Sequence, residues 1–193
     1  MRFSSKSLEE AVFFEIGAGH DLAVPIALRR MGAKKVVASD VNRLAKLDLV
    51  DAAAQIISIN LEKSFPAIRN WSELKDFGVS YIAPHNTAKE ETPVVDAFIS
   101  NEVLEHIPLA VLGRVNKNLS SNLAPGGLSL HSIDYNDHYA RDGGVSRYNF
   151  LQFSDEDWKP FNANMHYVNR LRHSEYIKLM ADAGLAIVSE ETF

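Results

Sequence analysis

The stretch that decides the fold is AVFFEIGAGHDLAVPIALRRMGAKKVVASD, residues 11–40. It opens with an apolar run, AVFFEI (11–16), which is bounded by a glycine and predicts a short buried strand. Residues 22–32 carry apolar side chains at helical spacing and end at a glycine, which predicts a helix. KVVASD (35–40) predicts a second strand that ends in an acid. The stretch therefore predicts a strand, a glycine turn, a helix and a neighbouring strand.

The rest of the chain continues this alternation of strand and helix. Helices are predicted at 41–60, 108–127 and 173–184, with a broken helix within 61–78, and strands at 79–84, 94–101, 128–134 and 185–190. Regular alternation of this kind predicts an α/β fold, Rossmann-like and doubly wound, with a mostly parallel sheet and helices on both faces. In such sheets a ligand binds beyond the carboxyl ends of the strands.

The composition excludes several classes of function. The chain has 193 residues, 46% of them hydrophobic, so we expect one domain over residues 1–193. A net charge of −5 argues against nucleic-acid binding through a basic surface. The sequence has no cysteine, which suits a reducing compartment. Apolar runs stay well below the roughly 18 residues of a membrane span, and no signal peptide is visible. We therefore expect a cytoplasmic protein that binds neither membrane nor nucleic acid.

The glycine turn indicates the kind of ligand. Gly17 and Gly19 allow a tight turn and let a ligand approach the main chain. The third glycine of a dinucleotide-binding loop would fall at Leu22, and Asp21 would repel a phosphate. These residues disfavour a nicotinamide-dependent oxidoreductase and favour a cationic ligand without a phosphate. S-adenosylmethionine has these properties, since it carries a sulfonium, an ammonium and a ribose.

Two acids flank this turn. Asp40 ends the second strand about 20 residues beyond the turn, where a carboxylate accepts hydrogen bonds from ribose hydroxyls. Its alternative role is to cap a helix that begins near Val41. Glu15 lies inside an apolar strand, where burial without partners is costly. We interpret Glu15 as orienting the turn or binding a ligand ammonium, and the alternative is a carboxylate that reaches solvent.

Four segments together, EIGAG, ASD, FISNEVLEHIP and LAPGGLSL, resemble the S-adenosylmethionine-dependent methyltransferases with a Rossmann-like fold. The resemblance runs from about residue 11 to residue 134. Residues 146–185 also resemble a bacterial subgroup that is often linked to sugar or cell-surface polysaccharide biosynthesis. The resemblance implies methyl transfer from S-adenosylmethionine to a small-molecule or saccharide acceptor by in-line displacement. The alternative is a non-catalytic or truncated methyltransferase-like domain that acts as a binding partner subunit.

The resemblance also implies which residues bind the cofactor. They lie at the ends of the first four strands and are Glu15, Gly17, Ala18, Gly19, Asp40, Val41, Asn86, Thr87, Asn101 and Glu102. The residues of the glycine turn would surround the methionine part, and Asp40 would take the ribose hydroxyls. Asn86 stands where the family usually has an acid at the adenine amino group. Asn101 and Glu102 would line the floor beneath the sulfonium.

A hydroxyl acceptor needs a base to remove its proton. His106 and His138 are the two candidates for the catalytic base. The alternatives are that His106 packs beside the fourth strand, and that His138 belongs to a solvated turn or, with Asp134 and Asp137, to a divalent-ion site. We predict no metal.

Residues 135–172 are polar and aromatic with little periodicity, so we predict a functional insertion that covers the acceptor. Its substrate-facing residues are predicted to be Tyr148, His166, Arg170 and Arg172. We expect Trp158 to pack in a core and Ser154 to cap a short helix.

The chain departs from the family at both ends. Family members carry helices before the first strand, whereas this sequence reaches that strand almost at once. The family sheet also ends in a hairpin, whereas this sequence stops at SEETF (189–193). We therefore expect the N-terminal cap helices and the last strand to be missing. Since unpaired strand edges invite association, we expect either a truncated sequence or a homodimer.

Overall fold

The computed structural model describes residues 6–62, 64, 66–163 and 167–192. Within these ranges the strands are β1 (Val12–Ile16), β2 (Lys35–Ser39), β3 (Val79–Ile82), β4 (Val95–Asn101) and β5 (Leu123–Ser132). The helices are α1 (Ala23–Met31), α2 (Leu47–Asn60), α3 (Trp71–Asp76), α4 (Leu109–Asn122), α5 (Asp155–Trp158) and α6 (His173–Asp182). Across the residues described, no helix combines the length and the apolar character that crossing a membrane requires.

The strands form one parallel sheet in the order β3-β2-β1-β4-β5. Phe13 in β1 pairs with Val36 in β2 on one side and with Ala97 in β4 on the other. The direction of strand order therefore reverses between β1 and β4, which in doubly wound sheets is the place where a ligand binds. The predicted α/β class with a parallel sheet is confirmed.

The chain divides into two compact units. The first unit comprises Met1–Ser100 with Ser121–His131, and the second comprises Asn101–Ser120 with Ser132–Phe193. Side chains from α1, α2 and α3, among them Ile26, Val50 and Leu74, pack with residues of β2 and β3 in the core of the first unit. The second unit has one cluster around Leu104, Leu112 and Tyr176 and another around Phe150, Trp158 and Val168. The single domain expected from the length stays a prediction.

Three sequence predictions about the elements are wrong. Residues 185–190 form no strand, because a strand exists only where ladder hydrogen bonds join it to a neighbour. The helix predicted from residue 41 begins at Leu47, since the amides of Leu44 and Ala45 donate to the Tyr81 hydroxyl at 3.0 and 3.3 Å and so hold the preceding segment as a loop.

The third error concerns residues 123–127, which the sequence predicts as the end of a helix but which form the first half of β5. A Cβ at Gly127 would lie 2.9 Å from the carbonyl oxygens of Asp96 and Ala124. Two backbone segments therefore approach each other so closely at this point that only glycine fits.

Candidate functional site

The glycine turn after β1 is held from β2. The amides of Gly17 and Ala18 donate to the carbonyl of Ser39 at 2.9 and 3.0 Å. Gly17 and Gly19 have φ angles of 72° and 68°, in the left-handed region that glycine adopts readily. A Cβ at Gly19 would meet no atom within 4 Å. The turn is thus fixed on its inner side and open at Gly19, where a ligand can approach the backbone.

Leu22 occupies the position of the missing third glycine. Its backbone is left-handed, with φ 54° and ψ 32°, a conformation that costs an L-residue roughly 1–2 kcal/mol. Its side chain is fully buried in the core of the first unit with Ile26 and Ala54. The chain therefore keeps the backbone geometry typical of glycine and offsets its cost by burying a leucine.

Asp21 fills the beginning of α1. Its carboxylate accepts a hydrogen bond from the amide of Ala23 at 3.0 Å. In dinucleotide-binding loops a phosphate takes this position, because the first amides of the helix are unpaired and the helix dipole favours negative charge. Here the chain supplies its own anion, which favours a ligand without a phosphate.

Glu15 is a buried acid beside the turn. Its side chain is only 4% exposed, and Oε2 has no hydrogen-bond partner among the described residues. Burial, with the negative charges of Asp21 and Asp40, raises the pKa of Glu15 to about 8. None of the ion pairs found within the described ranges includes any of these three carboxylates. The first unit therefore places three acids close together, none of them in such an ion pair, and this arrangement favours a cationic ligand.

Asp40 joins the turn to the loop after β2. Its Oδ2 accepts from the amide of Gly19 at 3.2 Å, and its Oδ1 accepts from the amide of Asn42 at 3.0 Å. Because α2 begins only at Leu47, Asp40 is not its cap, and that alternative is wrong. Each carboxylate oxygen accepts two hydrogen bonds, so Asp40 retains one acceptor site on each oxygen for a pair of hydroxyls.

The residues predicted to lie beside an adenine follow β2 and β3. Val41 is 59% exposed, so its side chain is available to pack against a flat ring. The Oδ1 atom of Asn86 accepts from the amide of Ala88 at 3.0 Å, so this side chain shapes its own turn. Thr87 is buried. The adenine contacts of these residues stay predictions.

Asn101 and Glu102 belong to the second unit. Asn101 is the last residue of β4 and is exposed. Glu102 has a left-handed backbone with φ 51°, and its amide donates to the carbonyl of Ser132 at 2.9 Å. The predicted contacts of both residues with the cofactor stay predictions.

The structure brings the two candidate bases together in the second unit. The ring centres of His106 and His138 lie 5.1 Å apart. Nδ1 of His106 lies 2.8 Å from the carbonyl oxygen of Tyr167, so this nitrogen must carry a proton, and Nε2 is then the acceptor of the neutral ring. Nε2 of His138 lies 3.5 Å from Oδ2 of Asp134. Burial, followed by the charges of Arg141 and His106, lowers the pKa of His138.

The acids near these histidines serve structural roles. Oδ1 of Asp134 accepts from the amide of Asn136 at 2.8 Å, and Oδ1 of Asp137 accepts from the amide of Tyr139 at 2.9 Å. In the described ranges no group of three or more His, Asp or Glu side chains is placed to hold a metal ion.

Sequence reasoning missed Glu105. It is almost fully buried, and its Oε1 accepts from the amide of Asp134 at 3.2 Å, while Oε2 has no partner among the described residues. Burial raises the pKa of Glu105. No local pattern marks it, because an acid in the short turn Leu104–His106 normally faces solvent. Its environment comes from segments distant in the sequence.

The predicted substrate-facing residues have different surroundings. Arg170 donates from Nη1 to the carbonyls of Phe150 and Phe153, each at 2.8 Å, and pairs with Asp155. The guanidinium of Arg170 therefore binds groups within residues 150–155, which favours a structural role for Arg170. Tyr148 is 44% exposed, and Arg172 donates from Nη1 to the carbonyl of Tyr135 at 2.6 Å.

Three further predictions concern the same segment. His166 lies outside the described residues. Trp158 packs with Phe150 in a buried cluster, and the Ser154 hydroxyl accepts from the amide of Asp157 at 3.2 Å. The predicted packing and capping roles of Trp158 and Ser154 are confirmed.

The strand order, the glycine turn after β1 and the acid at the end of β2 are those of a doubly wound fold. Several solved structures share this fold. No family model and no curated protein matches the sequence. One solved structure is that of a Nostoc punctiforme protein assigned as an O-methyltransferase, which is 16% identical to this chain and has a TM-score of 0.55. The match covers 92% of this chain and 46% of the Nostoc protein. Another is that of an O-methyltransferase family protein from Burkholderia thailandensis, which is 17% identical with a TM-score of 0.56. The match covers 98% of this chain and 51% of the Burkholderia protein.

A third similar structure is the magnesium protoporphyrin IX methyltransferase of Synechocystis with bound S-adenosylhomocysteine. It is 16% identical with a TM-score of 0.53, and the match covers 95% of this chain and 67% of the Synechocystis protein. The chain thus has the Rossmann-like fold of these methyltransferases. It spans about half the length of the first two proteins.

Proposed function

We propose that the chain binds S-adenosylmethionine and transfers its methyl group to a small-molecule or saccharide acceptor. The observation that carries this proposal is the buried, unpaired carboxylate oxygen of Glu15, which lies beside an open glycine turn together with Asp21 and Asp40. A cationic ligand with a ribose and no phosphate satisfies all three acids. The fold shared with methyltransferases supports the same ligand.

The residues present fit this cofactor. Glu15 would bind the ammonium group through its unpaired oxygen, and Asp40 would accept from the two ribose hydroxyls through its remaining acceptor sites. Val41 would lie against the adenine. Bound S-adenosylmethionine supplies an electrophilic methyl group on a sulfonium. The open face at Gly19 leaves the backbone accessible to the methionine part.

The second unit would prepare the acceptor. Because Nδ1 of His106 is engaged with the carbonyl of Tyr167, its Nε2 would take the proton from an acceptor hydroxyl. The lowered pKa of His138 keeps that neighbouring ring neutral near pH 7, so the proton on His106 would not meet a second positive charge. Alignment of the acceptor oxygen with the methyl group, together with exclusion of water, would supply the rest of the rate enhancement.

Asp40→Ala should weaken binding of S-adenosylmethionine by roughly 1–3 kcal/mol, because charge-assisted hydrogen bonds to the ribose are lost. Titration calorimetry with S-adenosylmethionine, S-adenosylhomocysteine and NAD measures this effect. Asp48→Ala, at an exposed position in the first turn of α2, is the matched control and should bind normally. Unchanged affinity in a folded Asp40→Ala protein would show that Asp40 only shapes the turn, and binding of NAD alone would refute the cofactor.

His106→Ala should lower methyl transfer by roughly 10²–10⁴-fold, the range for loss of a general base, while affinity for S-adenosylmethionine stays the same. The measurement is a methyl-donor turnover screen over nucleotide sugars and small hydroxylated metabolites. His106→Gln, which retains a polar side chain without a base of suitable pKa, should be equally slow. Cofactor binding without turnover of any acceptor by the unaltered chain would instead favour a non-catalytic partner subunit.

A further inference from the structure

Two arginines of the second unit lie against one aromatic ring. The guanidinium carbons of Arg147 and Arg172 lie 5.0 and 5.5 Å from the centre of the Tyr148 ring. Arg172 also lies 5.3 Å from the centre of the Tyr135 ring. Neither arginine takes part in any ion pair found within the described part of the chain. Two guanidinium groups therefore lie against the Tyr148 ring, and neither forms an ion pair with a described carboxylate.

Hydrogen bonds connect this pair to residues 135–138. Arg172 donates to the carbonyl of Tyr135 at 2.6 Å, and the amide of Asp137 donates to the carbonyl of Arg147 at 2.8 Å. Arg147 also donates from Nη2 to the Tyr148 hydroxyl at 2.8 Å. Both arginines are thus attached to the segment that carries His138. A guanidinium has five N–H donors, so most donors of the two arginines stay available.

Four carboxylates of the second unit already have partners of their own. Asp134 lies 3.4 Å from Nη2 of Arg141. Asp137 accepts from the amide of Tyr139. Glu190 lies 3.1 Å from Nε2 of His173, and Glu175 accepts from the backbone amide of Arg172 at 2.8 Å. An anion bound from outside would therefore be the partner that both guanidinium groups lack.

We propose that the methyl acceptor carries an anionic group, a carboxylate or a phosphate, and that Arg147 and Arg172 bind this group while the exposed ring of Tyr148 contacts the acceptor. Guanidinium groups bind both anions through paired N–H donors. This inference rests on the proposed function, since it concerns the acceptor whose hydroxyl His106 would deprotonate. It narrows the substrate class to anionic sugars and other anionic hydroxylated molecules.

Nuclear magnetic resonance titrations of the full chain with inorganic pyrophosphate and with benzoate test the inference. We expect saturable shifts of amide signals in residues 135–149 and 172. Arg147→Gln and Arg172→Gln should each weaken binding about tenfold, as expected when a charged hydrogen-bond donor is lost. Arg114→Gln on α4 is the matched control, since the Nη1 of Arg114 donates to the carbonyl of Ala110 in its own helix, and it should bind as the unaltered chain does. Tighter binding of pyrophosphate assigns a phosphate, and tighter binding of benzoate assigns a carboxylate.

Several outcomes separate the two proposals. Equal affinities in the unaltered chain, Arg147→Gln and Arg172→Gln would overturn the anion site, and so would the absence of binding by both probes. If Arg172→Gln does not fold, Arg147→Gln decides, because Arg147 is exposed and its side chain lies against Tyr148. Titration with S-adenosylmethionine in the same samples tests the proposed function separately. Anion binding without cofactor binding refutes methyl transfer and leaves the anion site standing.

Discussion

Glu15→Gln should weaken binding of S-adenosylmethionine and, at the same time, stabilise the free protein by an amount that grows from pH 4.5 to pH 8. The side chain of Glu15 is buried and one of its oxygens has no partner in the described chain. Its ionised form is therefore unfavourable until a cation arrives. Glutamine has nearly the same shape without the charge, so it removes both the cost of burial and the attraction for the ligand.

The sign of the pH dependence follows from the raised pKa. The pKa of Glu15 rises from 4.5 to about 8 in the folded state, so between these values the native protein holds a proton that the unfolded chain has lost. The free energy of unfolding therefore falls as the pH rises from 4.5 to 8 and is constant above that range. At about 1.4 kcal/mol for each pKa unit, the loss is roughly 5 kcal/mol as an order of magnitude.

Urea denaturation at pH 6 and pH 9 measures this stability, and cofactor titrations over the same range measure the affinity. The unaltered chain should bind S-adenosylmethionine more tightly as the pH rises towards 8, by up to about tenfold for each pH unit. Glu15→Gln should show a weak, flat profile, with a gain in stability that grows from pH 4.5 to pH 8 and is therefore larger at pH 9 than at pH 6. Glu91→Gln, at an exposed acid, should change neither property. An equal change in stability at both pH values would contradict a charge effect at Glu15.

Leu22→Ala should lower the free energy of unfolding by about 2–5 kcal/mol, the range for truncating a fully buried leucine. Leu22 packs in the core of the first unit, and its left-handed φ of 54° adds a second expectation. Glycine usually destabilises a helix interior relative to alanine, but at this φ it avoids a cost of roughly 1–2 kcal/mol. Leu22→Gly should therefore be at least as stable as Leu22→Ala.

Chemical denaturation of the two variants, with Val24→Ala as the control at a half-exposed site in the same helix, measures these differences. The control should change stability by less than about 0.5 kcal/mol. A Leu22→Gly protein clearly less stable than Leu22→Ala would show that position 22 does not require a left-handed backbone. Glycine at position 22 would then give this turn no conformational advantage.

Much of the first unit could be predicted from sequence because its signals are local. Apolar periodicity located β1, α1 and β2 to within a residue, and the pair of glycines located the turn. The start of α2 could not be predicted, since the Tyr81 hydroxyl, far along the chain, holds the loop before it. Residues 185–190 have the composition of a strand, but composition does not supply a pairing partner.

The same distinction applies to the candidate site. Glu15 and Asp40 stood out because an acid in an apolar strand, or at its end, is unusual in any sequence. Glu105 and the brace around Arg170 depend on contacts between segments that no short pattern connects. Asn169, for example, donates from Nδ2 to the carbonyls of Leu104 and Ile107 at 2.9 and 3.0 Å, more than 60 residues away in sequence.

The central place of β1 also bears on how the chain folds. Phe13 meets Val36 across a short connection, whereas its other neighbour, Ala97, lies across most of the first unit's sequence. Closing the longer loop costs more chain entropy, and non-local pairing slows folding. We expect β1, α1 and β2 to assemble early and β4 to dock in the slow step. Until then the β4 side of β1 is an open edge, exposed to pairing with other chains during synthesis.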